Sequence, residues 1–186
     1  MPHGGTLGRL EALGLAAGTA DAVVCNLAVH YFLADQDSLR NFVGLVRGAV
    51  RPGGKVILTV MRGEAVHAAF LAGGIAAGGT WDLREGDTLK YSLRRMYTSD
   101  RLEPTGQKIG VLLPFSGGEY YEEYLVNSKS LSAAFGIRGF RLLEEVGVAG
   151  KLPAFEAHNR AVFRQLTEAD RKYLGLYGEL VYELQA

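Results

Sequence analysis

The sequence has little cysteine and no surplus of charge of either sign. Cys25 is the single cysteine among 186 residues, so the chain cannot form an internal disulfide. A reducing, intracellular location therefore fits it better than secretion. Lysine plus arginine number 20, as do aspartate plus glutamate, so the net charge gives no indication of binding to long nucleic acid. A local basic patch is compatible with this balance.

Long apolar runs and targeting segments are also missing. No apolar run reaches the roughly 18 residues of a transmembrane helix, so we expect no membrane span. Met1–Gly5 lacks the basic and apolar blocks of a signal peptide. No pair of metal ligands stands at zinc spacing, so we predict no metal site. Apolar residues make up 48% of the chain, which excludes disorder and indicates one domain with a hydrophobic core.

The first recognisable unit is a helix flanked by two apolar strands. Residues 22–26 and 55–61 are short apolar runs, and we expect both to be buried strands. Between them, residues 35–50 carry apolar side chains at intervals of three and four, which is helical spacing. Arg51–Gly54 ends this helix, because proline cannot continue it and glycine tolerates left-handed geometry. A strand, a helix and a strand in this order predict two parallel strands and an α/β fold.

The middle of the chain predicts a second, antiparallel sheet. Residues 88–97 and 108–113 have the pattern of strands, and no helix lies in the polar segment 98–105 between them. We therefore expect these two strands to be antiparallel and separate from the parallel sheet. The other expected elements are helices at 7–15, from 63 onward, at 123–135 after a loop, at 153–166 and from 167 onward, and strands at 140–145 and 180–184.

Two segments carry side chains suited to binding a purine. His30 and Tyr31 directly follow the first strand, at the sheet edge where α/β proteins bind ligands. Glu119–Asn127 adds carboxylates among tyrosines. Together these groups suit a flat, electron-rich ring that becomes cationic. Two plainer interpretations stay open: His30 and Tyr31 could pack over the sheet edge, and Glu123 could be an exposed residue that begins a helix.

Several motifs, in their order along the chain, resemble the RNA cap guanine-N7 methyltransferases, in particular those of large DNA viruses. The resemblance runs from about Asp21 to the C-terminus and corresponds to the later two-thirds of the family's catalytic domain. A single motif such as Arg-Pro-Gly-Gly occurs across S-adenosylmethionine-dependent methyltransferases, whereas the ordered set is more specific. The motifs are Asn26–Tyr31, Arg51–Gly54, Gly63–Val66, Tyr91–Leu93, Leu113–Ser116, Glu122–Val126 and Tyr177–Glu183.

The resemblance implies a truncated Rossmann-like class I methyltransferase fold, with a partly parallel sheet and an antiparallel insertion. It implies one domain over residues 1–186, incomplete at its N-terminus, with a cap-binding insertion at 86–128. The family begins with a strand and a Gly-Cys-Gly-like loop that contacts the methyl donor, and its second strand ends in an acid that binds the ribose. This sequence contains neither motif. Its early glycine cluster is Gly4–Gly8, and no apolar strand precedes that cluster.

The resemblance also implies the methyl donor and the kind of catalysis. The expected cofactor is S-adenosylmethionine, with Asn26 and Leu27 on the adenine side of its site. Guanine N7 carries a free lone pair, so methyl transfer to it needs no general base. Catalysis would come from proximity and from electrostatic stabilisation of a ring that gains positive charge. We therefore expect no catalytic acid or base.

Four residues correspond to contacts of the cap guanine in the family. Glu123 would accept hydrogen bonds from the Watson–Crick edge, and its charge would favour the cationic product. His30 and Tyr31 would contact the ring, since stacking on an aromatic side chain contributes roughly 1–3 kcal/mol per base. Tyr177 corresponds to the tyrosine of the family's terminal strand.

The expected partner is the 5′ end of capped RNA, which implies the cytoplasm or nucleus of a host cell, or a virion. The absent strands would leave an open sheet edge, and open edges pair with other chains. We therefore expect a homodimer or a capping-enzyme partner at that edge.

Three functions remain open from the sequence. The first is an mRNA cap guanine-N7 methyltransferase domain. The second is a catalytically silent, methyltransferase-like subunit that binds or stimulates a capping-enzyme partner. The third is a small-molecule methyltransferase, and the Glu122–Val126 segment and the antiparallel insertion count against it.

Overall fold

The computed structural model describes residues 16–186, together with Gly8 and Gly14. The helix expected at 7–15 and the glycine cluster at 4–8 lie outside the described residues, apart from these two glycines. The described chain forms two four-stranded sheets, one mixed and one antiparallel, with helices packed against both.

The mixed sheet places the C-terminal strand in its interior. Its strands are β1 (Ala20–Asn26), β2 (Val50–Met61), β7 (Phe140–Gly147) and β8 (Tyr177–Leu184), in the order β1-β2-β8-β7. β1 and β2 are parallel, which confirms the expectation from the strand-helix-strand order, and β8 is antiparallel to both of its neighbours. β8 begins at Tyr177 rather than at the expected Leu180, because Tyr177 already pairs with Met61 of β2.

The helix α1 (Gln36–Ala49) connects β1 to β2 as its periodicity predicted. Asp35 begins it, because an oxygen of its carboxylate accepts a 2.7 Å hydrogen bond from the backbone N–H of Ser38. Its apolar stripe faces the sheet, and burial of each such side chain stabilises the fold by roughly 1.5–3 kcal/mol. The buried members of the stripe are Leu39, Phe42, Val43 and Val46.

An aromatic cluster joins a second helix, α3 (Ser128–Ile137), to the same face of the sheet. Phe135 is fully buried and stacks on Tyr182 of β8, with ring centroids 4.4 Å apart. The ring of Phe140 meets Phe135 edge-on at 5.1 Å. These rings fix the position of α3 against β7 and β8, and thereby close the core of the mixed sheet.

β1 is not the buried strand that its apolar sequence predicted. Val24 is 59% exposed, and Ala22 and Asn26 on the same side are exposed as well. The strand pairs with β2 alone, and within the described chain it forms the edge of the mixed sheet. Because α1 and α3 cover only the opposite face of the sheet, only one face of β1 packs against the hydrophobic core.

The antiparallel sheet contains both strands that were predicted for it and two that were not. Its strands, in sheet order, are β3 (Thr80–Glu85), β4 (Thr88–Arg95), β5 (Lys108–Leu112) and β6 (Tyr121–Tyr124). β4 and β5 are antiparallel as expected. The segment from 123 was expected to be a loop followed by a helix, but it begins in β6, and α3 starts only at Ser128. β6 is short and carries charged residues, so the local sequence does not predict that it pairs with β5.

The remaining helices are α2 (Gly63–Ala72), α4 (Val148–His158), α5 (Arg160–Phe163) and α6 (Glu168–Leu174). The single helix expected at 153–166 is two helices that meet at Asn159. α6 begins at a capping box, in which Thr167 and Asp170 bond to each other's backbone N–H. α2, α6 and the antiparallel sheet share a second hydrophobic core. None of the helices within residues 16–186 has both the length and the apolar character to cross a membrane.

Truncation of Phe135 should test the aromatic cluster. Phe135→Ala is expected to lower the free energy of unfolding by roughly 3–5 kcal/mol, because the vacated ring volume cannot be refilled. Ile137 lies two positions further along the same helix and is 84% exposed, so Ile137→Ala should change stability by less than about 0.5 kcal/mol. Urea unfolding of both variants is the measurement, and similar losses for the two would contradict the assigned core.

Candidate functional site

His30 and Glu123 come together where the two sheets meet. His30 belongs to a 3₁₀ turn (Val29–Phe32) that directly follows β1, as the sequence predicted. Glu123 lies in β6, where it pairs with Ile109 of β5. Their side chains are only 7% and 16% exposed, and His30 Nδ1 lies 3.6 Å from a carboxylate oxygen of Glu123. This distance is within ion-pair range but is too long for a hydrogen bond.

Burial drives both partners toward their neutral forms. Burial raises the pKa of Glu123 from 4.5 to about 7. Burial lowers the pKa of His30 from 6.5 to about 4. The 3.6 Å separation alone would suggest an ion pair. An ion pair that stabilised itself would move both pKa values the other way, so burial outweighs the mutual attraction of the two groups. Near pH 7 a neutral imidazole therefore faces a partly protonated carboxyl group.

Both groups have unused hydrogen-bonding capacity. His30 Nε2 is buried and has no partner among the described residues. No side-chain or backbone donor of the described residues bonds to the Glu123 carboxylate. Its neighbour Glu122, by contrast, is exposed and pairs with Lys108 at 2.8 Å. Buried polar groups are nearly always hydrogen-bonded in folded proteins. A ligand with donors and an acceptor in one plane would satisfy this pair.

The two tyrosines that the sequence singled out have different surroundings. Tyr31 is 61% exposed, and its ring lies edge-on to His30 with the centroids 4.1 Å apart. Tyr177 is half-buried at the start of β8, and its hydroxyl donates to the Tyr173 hydroxyl at 2.9 Å. Burial raises the pKa of Tyr177 to about 12, and the negative charge of Glu123 contributes to the same rise.

An open cleft of about 460 Å³ is lined by two of the predicted site residues, Leu27 and Tyr177. One wall is a stack of tyrosines: the rings of Tyr91 and Tyr173 are nearly parallel, with centroids 4.1 Å apart, and Tyr177 meets Tyr173 edge-on. The surface is largely apolar and aromatic, as is typical of sites for flat organic ligands. The lining residues are Leu27, Thr59, Tyr91, Leu113, Pro114, Phe115, Val148, Tyr173, Leu174 and Tyr177.

Leu27 holds an unusual backbone conformation at the edge of the cleft. Its φ of 52° lies in the left-handed region, and it is the one non-glycine residue with positive φ in the described chain. A bulky residue is rarely found there, and such strain of order 1–3 kcal/mol concentrates at functional sites. The backbone N–H of Leu27 donates to Thr59 O at 2.9 Å, and the neighbouring Asn26 side chain accepts from Thr59 Oγ1 at 3.0 Å. These bonds fix the strand end at the cleft.

The six predicted site residues thus lie in three places. His30, Tyr31 and Glu123 form one cluster. Leu27 and Tyr177 line the 460 Å³ cleft, and His30, Tyr31 and Glu123 are not among its lining residues. Asn26 is exposed beside the cleft and is held by Thr59.

Asp170 is a component of the site that the sequence analysis did not find. It is buried and accepts hydrogen bonds from the Tyr91 hydroxyl at 2.7 Å and from Lys90 Nζ at 3.0 Å. Burial raises its pKa, but bonds from Tyr91, Thr167 and Lys90 outweigh burial and hold the pKa at about 2. The helix start at 167 was predicted from the sequence, whereas the contact of Asp170 with Tyr91 joins positions far apart along the chain. Among the described residues no cluster of three or more His, Cys, Asp or Glu side chains is placed to hold a metal ion.

The sequence is similar to part of a viral mRNA-capping enzyme. It is 36% identical over 168 residues to the mRNA-capping enzyme of African swine fever virus (isolate Tick/South Africa/Pretoriuskop Pr4/1996). The match covers 90% of this chain and 19% of that enzyme. A probable mRNA-capping enzyme of Acanthamoeba polyphaga mimivirus is 23% identical over 114 residues, which is 60% of this chain and 10% of that protein. The chain is therefore homologous to a segment of these enzymes, and it spans no more than about a fifth of their length. No family model matches the sequence.

Solved structures show the fold. A Listeria monocytogenes protein assigned to the S-adenosylmethionine-dependent methyltransferases superposes with a TM-score of 0.50 at 15% identity, covering 92% of this chain and 64% of that one. The chain accordingly has a class I methyltransferase-like α/β fold, with a mixed sheet and an antiparallel sheet, as the resemblance implied.

Neutralisation of Glu123 should change the pH dependence of stability. The folded-state pKa of about 7 exceeds the usual 4.5, so the folded chain binds more protons than the unfolded chain between these values. The contribution of Glu123 to stability is therefore lost as pH rises from 4.5 to 7, and the loss is on the order of 3 kcal/mol. Glu123→Gln removes this loss.

The measurement is urea unfolding of Glu123→Gln and of the parent protein at pH 4.5 and pH 8. His30 titrates in the opposite sense, but it contributes equally to both proteins and cancels in their difference. The variant should gain stability relative to the parent toward pH 8. A difference that does not change with pH would show that the carboxyl group is not desolvated.

Proposed function

We propose that this chain forms the cap-guanine half of an mRNA cap guanine-N7 methyltransferase domain, which transfers a methyl group from S-adenosylmethionine to N7 of the cap guanine. The observation that carries the proposal is the largely buried carboxylate of Glu123, which lies 3.6 Å from Nδ1 of His30, a residue whose Nε2 is buried without a partner among the described residues. The similarity to a segment of a viral mRNA-capping enzyme supports the choice of capped RNA as the substrate.

The chemistry of guanine matches this pair of groups. The Watson–Crick edge of guanine presents two N–H donors, and a carboxylate is the acceptor that can receive both of them. These bonds would favour the ionised form of Glu123 and bring its pKa down again in the complex. Methylation at N7 makes the ring cationic, and a fixed carboxylate in a desolvated site stabilises that charge as it forms.

The aromatic groups would hold the ring rather than react with it. Tyr31 offers an exposed face next to His30, and Tyr177 would add an aromatic surface from the wall of the cleft. Orientation of N7 toward the donor can account for roughly 7–11 kcal/mol of barrier reduction. No side chain acts as a base in this scheme, since N7 has no proton to lose.

The donor would lie on the Leu27 side of the cleft. Leu27 supplies apolar surface for the adenine, and the amide of Asn26 supplies a hydrogen-bonding group beside it. S-adenosylmethionine, when bound, supplies an electrophilic methyl group. The motifs of this chain match the adenine side of the family's donor site and do not match its glycine-rich loop.

A second function is favoured by the free edge of β1. A catalytically silent subunit that binds or stimulates a capping-enzyme partner would keep the guanine-side residues without a full donor site. Within residues 16–186, β1 pairs on one side only, and Val24 on its uncovered face is largely exposed. Either function is compatible with a capping-enzyme partner or a second copy at this edge. Donor binding in the presence of a polypeptide that carries the family's glycine-rich unit distinguishes the two functions.

Removal of the Glu123 carboxylate should weaken cap binding. We expect Glu123→Ala to reduce affinity for a cap dinucleotide by about 1–3 kcal/mol, because the guanine donors are left unpaired. Glu122→Ala is the matched control: it removes the same charge from the neighbouring position, where the side chain is exposed and paired with Lys108. Calorimetric titration of both variants is the measurement. Equal affinities for Glu123→Ala and the parent protein would exclude the guanine-reading role.

Residues 1–186 by themselves should bind S-adenosylmethionine weakly. An adenine half-site offers one stacking surface and few hydrogen bonds against the cost of lost translational and rotational freedom. We expect a Kd weaker than about 1 mM, or roughly −4 kcal/mol. Addition of a polypeptide that carries the family's glycine-rich unit should restore binding. Calorimetry on a sample that binds cap dinucleotide is the measurement, and a micromolar Kd would contradict the half-site.

A further inference from the structure

A carboxylate outside the cleft holds its aromatic wall. Asp170 is buried and is not among the residues that line the cleft. One of its oxygens accepts a 2.7 Å hydrogen bond from the hydroxyl of Tyr91, which does line the cleft. The other oxygen accepts a 3.0 Å bond from Nζ of Lys90. Asp170 therefore has donors of its own chain on both oxygens and supports the wall from behind.

A β-bulge turns two consecutive side chains of β4 toward this carboxylate. Successive side chains of a regular strand point to opposite faces of the sheet. In the pairing of β3 with β4, Leu83 lies opposite Tyr91, and the next residue of β3, Arg84, lies opposite Leu89. Lys90 is thus an extra residue in β4. Bulges of this kind re-aim side chains, which explains how Lys90 and Tyr91 reach the same group.

The helix α6 contacts Tyr91 at two points. Asp170 bonds to its hydroxyl, and Tyr173, three residues further along α6, stacks on its ring. The two ring planes lie within 7° of parallel, with centroids 4.1 Å apart. Residues three apart share one face of a helix, so α6 fixes the ring and the hydroxyl together. The bond between Asp170 and Tyr91 therefore sets the geometry of the stack.

Two hydroxyl groups of the wall are already used within the protein. Tyr91 donates to Asp170, and Tyr177 donates to the Tyr173 hydroxyl at 2.9 Å. A ligand at this wall meets aromatic rings rather than these two donors. Every nucleobase has a π-face, so stacking on such a surface tolerates any base. The wall is suited to holding a base, whereas the His30–Glu123 pair is suited to selecting one.

We propose that Asp170 is a positioning residue for base binding: it holds the ring of Tyr91 against Tyr173, and the resulting wall stacks on a base irrespective of its identity. This inference rests on the proposed function, since a ligand with a base must occupy the cleft. Asp170 acts through Tyr91 and does not touch the ligand. Lys90 supplies the opposite charge that a buried carboxylate requires.

The test uses calorimetric titration with two ligands, a cap dinucleotide and the matching dinucleotide with adenine in place of the cap guanine. We expect Asp170→Ala to weaken both affinities by about fivefold, through loss of one charge-assisted hydrogen bond. Asp170→Asn keeps an oxygen that can accept from Tyr91 and should retain part of the affinity. Asp35→Ala is the matched control: it removes an exposed carboxylate that caps α1, and both affinities should stay unchanged.

A purely structural role for Asp170 predicts a different pattern. Tyr91→Phe removes only the hydroxyl and leaves the capping box of α6 in place. We expect it to weaken both ligands, and the double variant with Asp170→Ala to lose no more than the weaker single variant, because both changes break the same bond. If Asp170 only caps α6, Asp170→Ala will lower the melting temperature while Tyr91→Phe leaves both affinities unchanged. That result would overturn the proposal.

Fluorine NMR of the ligand-free protein tests the position of Tyr91 directly. In protein labelled with 3-fluorotyrosine, the Tyr91 signal is the one that disappears in Tyr91→Phe. We expect this signal to shift in Asp170→Ala, because the ring loses its fixed stack on Tyr173, and to stay in place in Asp35→Ala. A Tyr91 signal that does not move in Asp170→Ala would overturn the proposal, whatever the ligands do.

The base preference separates this inference from the proposed function. Glu123→Ala should weaken the guanine dinucleotide and spare the adenine one, whereas Asp170→Ala should weaken both by the same factor. Unchanged guanine affinity in Glu123→Ala would refute the guanine-reading role, and equal losses in Asp170→Ala would still support the wall. A loss in Asp170→Ala that is confined to the guanine dinucleotide would overturn the base-tolerant wall.

Discussion

The fold depends on the placement of β8 between β2 and β7. Its C-terminal half contributes Leu180, Tyr182 and Leu184 to the core of the mixed sheet. Its first residue, Tyr177, packs against the core shared by α2, α6 and the antiparallel sheet. One strand therefore ties both cores together, and its register with β2 fixes Tyr177 opposite Met61. Because Tyr177 lines the cleft, the same register that completes the sheet also sets one wall of the candidate site.

Sequence periodicity predicted the elements whose environment is uniform along their length. α1 has one face on the sheet and one in solvent, so its apolar spacing was sufficient to place it. β1 shows where this reasoning fails. Its apolar composition indicates the environment of a strand with neighbours on both sides, but in the described chain it has one neighbour and one open face. β6 fails for the opposite reason: its sequence Tyr-Glu-Glu-Tyr has no strand pattern, and only the pairing with β5 makes it a strand.

The sequence predicted which residues form the candidate site better than it predicted the environment of each one. The position of His30 and Tyr31 after a strand and the carboxylates near Glu123 were visible in the sequence. The sequence could not show that Glu122 and Glu123 have opposite environments, since alternation along β6 puts one in solvent beside Lys108 and the other against His30. It also could not show Asp170 supporting Tyr91, because that contact joins the antiparallel sheet to α6.

The His30–Glu123 pair is left unsatisfied in this fold. Among the described residues His30 Nε2 is buried without a hydrogen-bond partner, and the largely buried Glu123 carboxyl group lies 3.6 Å from the Nδ1 of the same ring. Unpaired groups of this kind cost stability, and folded proteins tolerate few of them. A planar base that presents N–H donors and an acceptor would satisfy the carboxyl group and the imidazole together. The unmet hydrogen bonding of this pair therefore favours a ligand with paired donors, such as guanine, over an apolar ring of the same size.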